Sequence, residues 1–182
     1  MKKKEKLIIL GHSGSGKDFL MRGLIEIGLV PCLKLTTRPM RSGEKQGVNY
    51  EYLDINEFKK YDDCGDLLTN ESFEVTPLGS DAETWYYGIT RENFEKSQVL
   101  IVTTSEYKSL LENSDQRKNF FVVYLDIDRK IREDRLYKRK DNNDSIKRRL
   151  DADEIDFGGF NDYDLKITDP EFSADDVYHL MD

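Results

Sequence analysis

The sequence predicts an α/β fold in which a parallel sheet is flanked by helices. Three observations predict it. Leu7–Leu10, Val99–Val102 and Phe120–Leu125 are nearly continuous apolar runs, the pattern of strands covered on both faces. Segments with helical spacing lie between the runs, and alternating strands and helices assemble into layers with right-handed crossovers. A glycine-rich stretch, Gly11 to Asp18, joins the first apolar run to the first helix.

The remaining elements follow in order. Asp164–Thr168 reads as a fourth strand, and Cys32–Thr36 as a weaker fifth. Helices are expected over Asp18–Ile27, Asn56–Tyr61, Glu92–Lys96 and Glu106–Asn113. Two more run from a cap at Asp128 towards Lys138 and from a cap at Asp144 towards Ile155. Ser173 with Asp176 makes a capping-box-like start for the last helix. Gly158-Gly159 and Val75–Thr84 read as mobile loops.

Composition narrows the class of protein. A chain of 182 residues is long enough for one domain with a proper core and too short for two. Charged residues at 35% nearly equal hydrophobic ones at 37%, as on a soluble surface. The net charge of -8 argues against a nucleic-acid partner, which recruits excess Lys and Arg. Small anionic substrates stay open, because local arginine clusters bind phosphate within acidic proteins. No apolar run has the length of a membrane span. The stretch after the basic Met1–Lys6 is too short for the core of a signal peptide. Cys32 and Cys64 lack framework or metal spacing and read as free thiols, and His12 and His179 suggest no metal site. A cytoplasmic protein without a membrane partner is expected.

The stretch Gly11-His-Ser-Gly-Ser-Gly-Lys17-Asp18 follows a strand and opens a helix, which is the context of a phosphate loop. Glycines let successive backbone N–H groups turn towards a phosphate, and the helix adds its positive end. Gly11, Ser13, Gly14, Ser15, Gly16, Lys17 and Asp18 are therefore the expected ATP-binding residues, with Lys17 as the cation for the β and γ phosphates. The usual Ser or Thr after the lysine is Asp18 here. A carboxylate is also a hard oxygen ligand, so Asp18 is the candidate for Mg²⁺ carried with ATP.

A second constellation spans Thr36-Thr-Arg38-Pro-Met-Arg41-Ser-Gly-Glu44-Lys-Gln-Gly47-Val-Asn-Tyr50-Glu-Tyr52. Two arginines three residues apart can converge on one phosphate. Taken alone, the stretch is a solvated basic turn. Downstream, Arg135-Leu-Tyr-Lys-Arg139 and Ser145-Ile-Lys-Arg-Arg149-Leu carry arginines at helical spacing.

Together these motifs resemble the guanylate kinase family, whose signature T-T-R-x-x-R-x-G-E-x-x-G-x-x-Y-x-F is matched except at its end, where Tyr52 replaces Phe. The family's Y-Y-G appears as Tyr86-Tyr87-Gly88, and its R-x-x-x-R and S-I-x-x-R-L lid elements appear in order. The resemblance covers almost the whole chain. It implies a P-loop NTPase fold with core segments 1–34, 91–134 and 157–182, an inserted monophosphate-binding lobe over about 35–90, and a helical lid over about 135–156. It implies that Arg38, Arg41, Glu44, Tyr50 and Tyr87 serve the acceptor. Arg135, Arg139 and Arg149 would close over ATP and act with Lys17 and Arg41 in catalysis. The implied reaction moves the γ-phosphoryl of ATP to GMP or dGMP.

Departures cluster where the base is read. The family's guanine-reading glutamate aligns with Thr69, leaving Glu71 and Glu74 as nearby substitutes, with Glu71 the candidate. The family's hydroxyl residue after Y-Y-G is Ile89, followed by Thr90, and its serine before T-T is Lys34. Val102 and Thr104 stand where the family has an Asp-x-Asp pair, and Asp18 is expected to restore negative charge near the metal. Alternatives are a different acceptor (a modified deoxynucleoside monophosphate or ribose 1,5-bisphosphate, whose kinase also ends its loop in G-K-D) and a guanylate-kinase-like binding module without catalysis.

Overall fold

A computed structural model describes residues 4–75, 82–113, 117–139 and 146–181. Two four-stranded sheets organise them. The first has the order β6-β1-β7-β8, formed by Val99–Ile101, Lys6–Gly11, Phe120–Leu125 and Leu165–Ile167, and all its pairings are parallel. β1 and β7 are buried along their whole length, as their unbroken apolar runs predict. Alternate residues serve opposite faces. Leu7 and Ile9 pack with Leu20 and Leu24 of helix α1 (Lys17–Glu26) and Val177 of α7 (Ala174–His179). Ile8 and Leu10 pack on the other face with Tyr107 and Leu110 of α4 (Thr104–Asn113).

α1 carries Leu20 and Leu24 one turn apart towards the sheet. Gly23 lies between them because α7 comes so close. A Cβ on Gly23 would stand 2.5 Å from the Ala174 Cβ, well inside van der Waals contact. Ser173 caps α7 as expected, its hydroxyl accepting from the Asp176 N–H, while the Asp176 carboxylate takes the Ser173 hydroxyl.

The second sheet has the order β3-β2-β5-β4, formed by Glu51–Tyr52, Leu35–Thr36, Glu83–Thr90 and Leu67–Val75. It is mostly antiparallel, with β2 parallel to β3. The sequence reading misses β3, β4 and β5. Exposed and polar side chains such as Asn70, Glu74, Glu83 and Thr84 dilute the apolar signal in β4 and β5, which gain their order from cross-strand pairing. Val75, Glu83 and Thr84, expected in a loop, end or begin those strands, and 76–81 lie outside the described residues. The expected strand Cys32–Thr36 shortens to β2 and joins the second sheet rather than the first. Pro31 alone bridges to Val99.

Helix α2 (Ile55–Asp63) begins at Asp54, whose side chain accepts from the Asn56 and Glu57 N–H groups while Glu57 caps in return. α3 (Arg91–Lys96) starts at Thr90, which accepts from Asn93. α5 (Arg129–Arg139) and α6 (Ile146–Asp156) match the two expected helices. The expected cap Asp144, Ser145 and the Arg139 side chain lie outside the described residues. Cys32 and Cys64 are free thiols. Among the described residues no helix is long and apolar enough to cross a membrane.

Candidate active site

The turn after β1 wraps a concave backbone at the start of α1. Gly14 has φ 78°, and a Cβ there would stand 2.7 Å from the Arg132 carbonyl oxygen. Left-handed geometry and the close approach of α5 both require glycine. Gly16 has φ 105° and leads directly into the helix. Lys17 Nζ donates to the carbonyls of Gly11 at 2.6 Å and His12 at 2.9 Å. The buried Ser15 Oγ has no hydrogen-bond partner. Asp18 lies exposed in the first turn of α1.

One residue of α6 reaches this loop. Asp153 Oδ2 accepts from the Ser13 N–H at 2.6 Å and Oδ1 from the Ser13 hydroxyl at 3.3 Å. An anion therefore already sits on the backbone N–H that a phosphate loop offers to phosphate. Arg132 of α5 braces the arrangement. It is buried, donates to the Ile127 carbonyl and to Glu154 Oε1, and lies 3.9 Å from Asp153 Oδ2. His12 packs against Phe157 with ring centroids 4.6 Å apart, and burial with the nearby Arg132 charge lowers its pKa. The sequence reading misses Asp153 and Arg132, because a charged helix gives no sign of which face turns inward.

A cleft of about 380 Å³ runs from this loop to the second sheet. Gly11, Ser13 and Lys17 line one end, and Arg148, Arg149 and Asp153 of α6 line one side. Arg41, Tyr50, Glu71 and Tyr87 line the other end. Lys17, Arg41 and Arg149 thus face one space.

Arg38 does not line the cleft. Its guanidinium is 4% exposed and donates to Glu44 Oε1 at 2.9 Å and to the Pro39 carbonyl. It also lies over the rings of Tyr50 and Tyr52. Glu44 organises the turn, since Oε2 accepts from the Arg41 N–H at 2.7 Å and from the Tyr52 hydroxyl at 2.7 Å. Burial opposes the Glu44 charge, yet the bonds from Arg38, Arg41 and Tyr52 pull its pKa down to about 2. Tyr52, the one departure from the family signature, therefore supplies an extra donor to this carboxylate.

Glu71 sits opposite Tyr87 across the β4–β5 pair, so the two side chains share a face. Glu71 Oε1 accepts from the Thr103 hydroxyl at 2.8 Å, and Oε2 is buried without a partner. Burial and then the neighbouring Glu106 raise its pKa. Glu74 also lines the cleft but is exposed. Thr69 is spent inside the sheet, accepting from the Ile89 N–H. Ile89 is in the core, and Thr90 caps α3.

Arg135 belongs to a second cleft, of about 410 Å³, with Phe19, Pro170 and Phe172. Its guanidinium donates to the carbonyls of Ser15 at 3.2 Å and Pro170 at 3.0 Å. The phosphate loop separates it from the cleft holding Arg149. The Phe19 and Phe172 rings meet edge to face at 5.9 Å. The sequence reading does not name these aromatics, although a phenylalanine just past the phosphate-loop lysine, which turns out 57% exposed, is a signal of sorts.

Comparison with known proteins adds the family context. No family model matches the chain. A guanylate kinase from Rickettsia prowazekii is 28% identical over 182 residues, covering 94% of this chain and 87% of its own length. One from Malacoplasma penetrans is 28% identical over 188 residues, covering 98% and 93%. The chain is similar to guanylate kinases over nearly its whole length. The fold agrees, since the crystal structure of a guanylate kinase from Anaplasma phagocytophilum superposes with a TM-score of 0.64 at 20% identity, covering 100% of this chain and 86% of that one. The likeness in fold thus extends over the whole chain, both sheets included.

Proposed function

We propose that the chain is an ATP-dependent nucleoside monophosphate kinase that transfers the γ-phosphoryl group of ATP to GMP or dGMP. The observation that carries this is the single cleft shared by Lys17, Arg41, Tyr50, Tyr87 and Arg149, with the unpartnered Glu71 Oε2 in its wall. Cations in the cleft suit two phosphorylated substrates, and a buried acceptor suits the N–H edge of a base.

In this reading the donor's adenine stacks in the second cleft against Arg135, Phe19 and Phe172. Its phosphates cross the loop at Gly14 and Gly16 and reach Lys17. Lys17 gives up the Gly11 and His12 carbonyls to meet them, and Asp153 leaves the Ser13 N–H. α6 thereby moves as ATP enters and brings Arg149 over the phosphoryl group. Arg41, Tyr50 and Tyr87 hold the acceptor phosphate, while Arg38 with Glu44 fixes the turn that carries Arg41. An acceptor oxygen attacks the γ-phosphorus in line, forming one P–O bond as the bond to ADP breaks. The segments 35–90 and 135–156 act as the closing lobe and lid.

The residues fit a magnesium ion. Asp18 offers one hard oxygen beside the loop, and Mg²⁺ is commonly held by one or two carboxylates, substrate phosphates and waters. Among the described residues no cluster of three or more His, Cys, Asp or Glu side chains could hold a metal ion. When bound, the ion neutralises charge on the β and γ phosphates. Asp18→Ser tests the assignment: a rise in activity with tighter Mg²⁺ dependence would refute it.

A coupled assay with ATP against each NMP and dNMP tests the function. Turnover of GMP or dGMP is expected. No turnover with any acceptor, together with no ATP binding, would favour a binding module instead.

A further inference from the structure

The Asp153 carboxylate stands between two donors. Its Oδ2 accepts from the Ser13 N–H at 2.6 Å, and the same oxygen lies 3.9 Å from Arg132 Nη1. That second gap is an ion pair without a hydrogen bond. Arg132 is 2% exposed. Its Nε donates to the Ile127 carbonyl at 2.8 Å and its Nη2 to Glu154 Oε1 at 2.9 Å, so the guanidinium is held at two points. Its Nη1 is buried and has no hydrogen-bond partner. Buried donors are nearly always paired, because an unmade bond leaves the loss of hydration uncompensated. A hydrogen bond from Nη1 needs about 2.9 Å, so Asp153 Oδ2 reaches it by a shift of roughly 1 Å.

The first donor is contested. The Ser13 N–H belongs to the phosphate loop, and Ser13, Lys17 and Asp153 line the same cleft. Backbone N–H groups of such a loop seat a phosphate. A phosphate and a carboxylate are both anions and compete for that one N–H. Moving Asp153 to Arg132 ends the competition and pairs the buried Nη1. The move is transmitted along α6, because Arg149 precedes Asp153 by four residues, one turn away on the same face.

We infer that Asp153 is a positioning residue with two seats, the Ser13 N–H before ATP arrives and Arg132 Nη1 after it, so that ATP displaces an internal anion and thereby sets the position of Arg149. This rests on reading the loop as the phosphate site of ATP. Part of the binding free energy of ATP is spent on the exchange, and the second seat reduces that cost.

The test titrates ATP by calorimetry, without acceptor, into the wild type, Asp153→Ala, Arg132→Met and the double variant. Asp153→Ala should bind ATP roughly 10-fold more tightly, because the internal competitor is gone. Arg132→Met should bind ATP roughly 3- to 10-fold more weakly, because the displaced carboxylate has lost its second seat. The double variant should match Asp153→Ala, since Arg132 acts on ATP only through Asp153. GMP affinity should stay at the wild-type value throughout, and kcat should fall in Asp153→Ala as ATP binding tightens. An arginine that only braced the fold would weaken ATP binding equally in both backgrounds. ATP affinity no tighter in folded Asp153→Ala than in the wild type overturns the two seats and leaves the kinase reading standing, and this titration decides by itself where Arg132→Met does not fold. Failure of the wild type to bind ATP overturns the kinase reading, and the inference with it.

Discussion

Glu44→Gln is the most informative single substitution. Glu44 never lines the cleft, yet its carboxylate accepts from Arg38, the Arg41 backbone and Tyr52. Glutamine keeps the shape, removes the charge and turns one N–H₂ towards a donor. Hydrogen bonds to a charged group are worth about 1 kcal/mol more than neutral ones, so three bonds put about 2–3 kcal/mol at stake. Glu44 is 19% exposed, and solvent screening reduces the loss to about 1.5–2 kcal/mol. That energy fixes the position of Arg41 and the charge balance of Arg38. The KM for GMP should therefore rise roughly 10- to 30-fold at one factor of ten per 1.4 kcal/mol, with the KM for ATP within about twofold of the wild type. Tyr52→Phe removes one bond of the three and should raise the KM for GMP by about threefold, corresponding to roughly 0.7 kcal/mol. Steady-state kinetics with each substrate varied in turn reads both. An unchanged KM for GMP, or equal rises for GMP and ATP, would refute the role of Glu44 as organiser of the acceptor turn. The same carboxylate predicts an acid limb of stability. Its folded pKa of about 2 lies below the ordinary 4.5, so its contribution is complete above about pH 4.5 and is lost as pH falls towards 2. Glu44→Gln should flatten that part of the melting-temperature profile.

Three other outcomes are expected. Gly23→Ala should lower stability by about 1–3 kcal/mol in denaturant melts despite alanine's higher helix propensity, because the new methyl meets the Ala174 Cβ across the α1–α7 contact. Gly14→Ala strains a left-handed residue against the Arg132 carbonyl and should cut ATP binding, read by titration calorimetry, while circular dichroism stays native. Affinity for GMP should strengthen as pH rises through the raised pKa of Glu71, because the ionised carboxylate is the better acceptor for base N–H groups. Glu71→Gln should remove that pH dependence, and a profile that persists in the variant would assign it elsewhere.

β1 and β7 were legible because they are buried along their whole length, and burial on both faces writes an unbroken apolar run. Phe120–Leu125 matches β7 residue for residue. The phosphate loop was legible for a different reason: its function resides in backbone N–H groups, so glycine spacing and one lysine record it locally. β4 and β5 escaped because their order comes from each other. Most of their polar residues face solvent or the cleft, while Thr69 and Thr90 are buried, and no local period announces which.

The sequence by itself determined the class of fold, the phosphate loop and the order of the arginine motifs, because each is encoded within a few consecutive residues. Tertiary structure decided which charges meet. Arg38 turns inward to Glu44 while Arg41 faces the cleft, although the two stand three residues apart. Glu71 lines the cleft, whereas Thr69 is turned into the sheet and spends its hydroxyl on the Ile89 N–H. Lys34 meets Glu106 from 72 residues away. A long-range ion pair depends on where the backbone carries both side chains, and no pattern along the chain reports that distance.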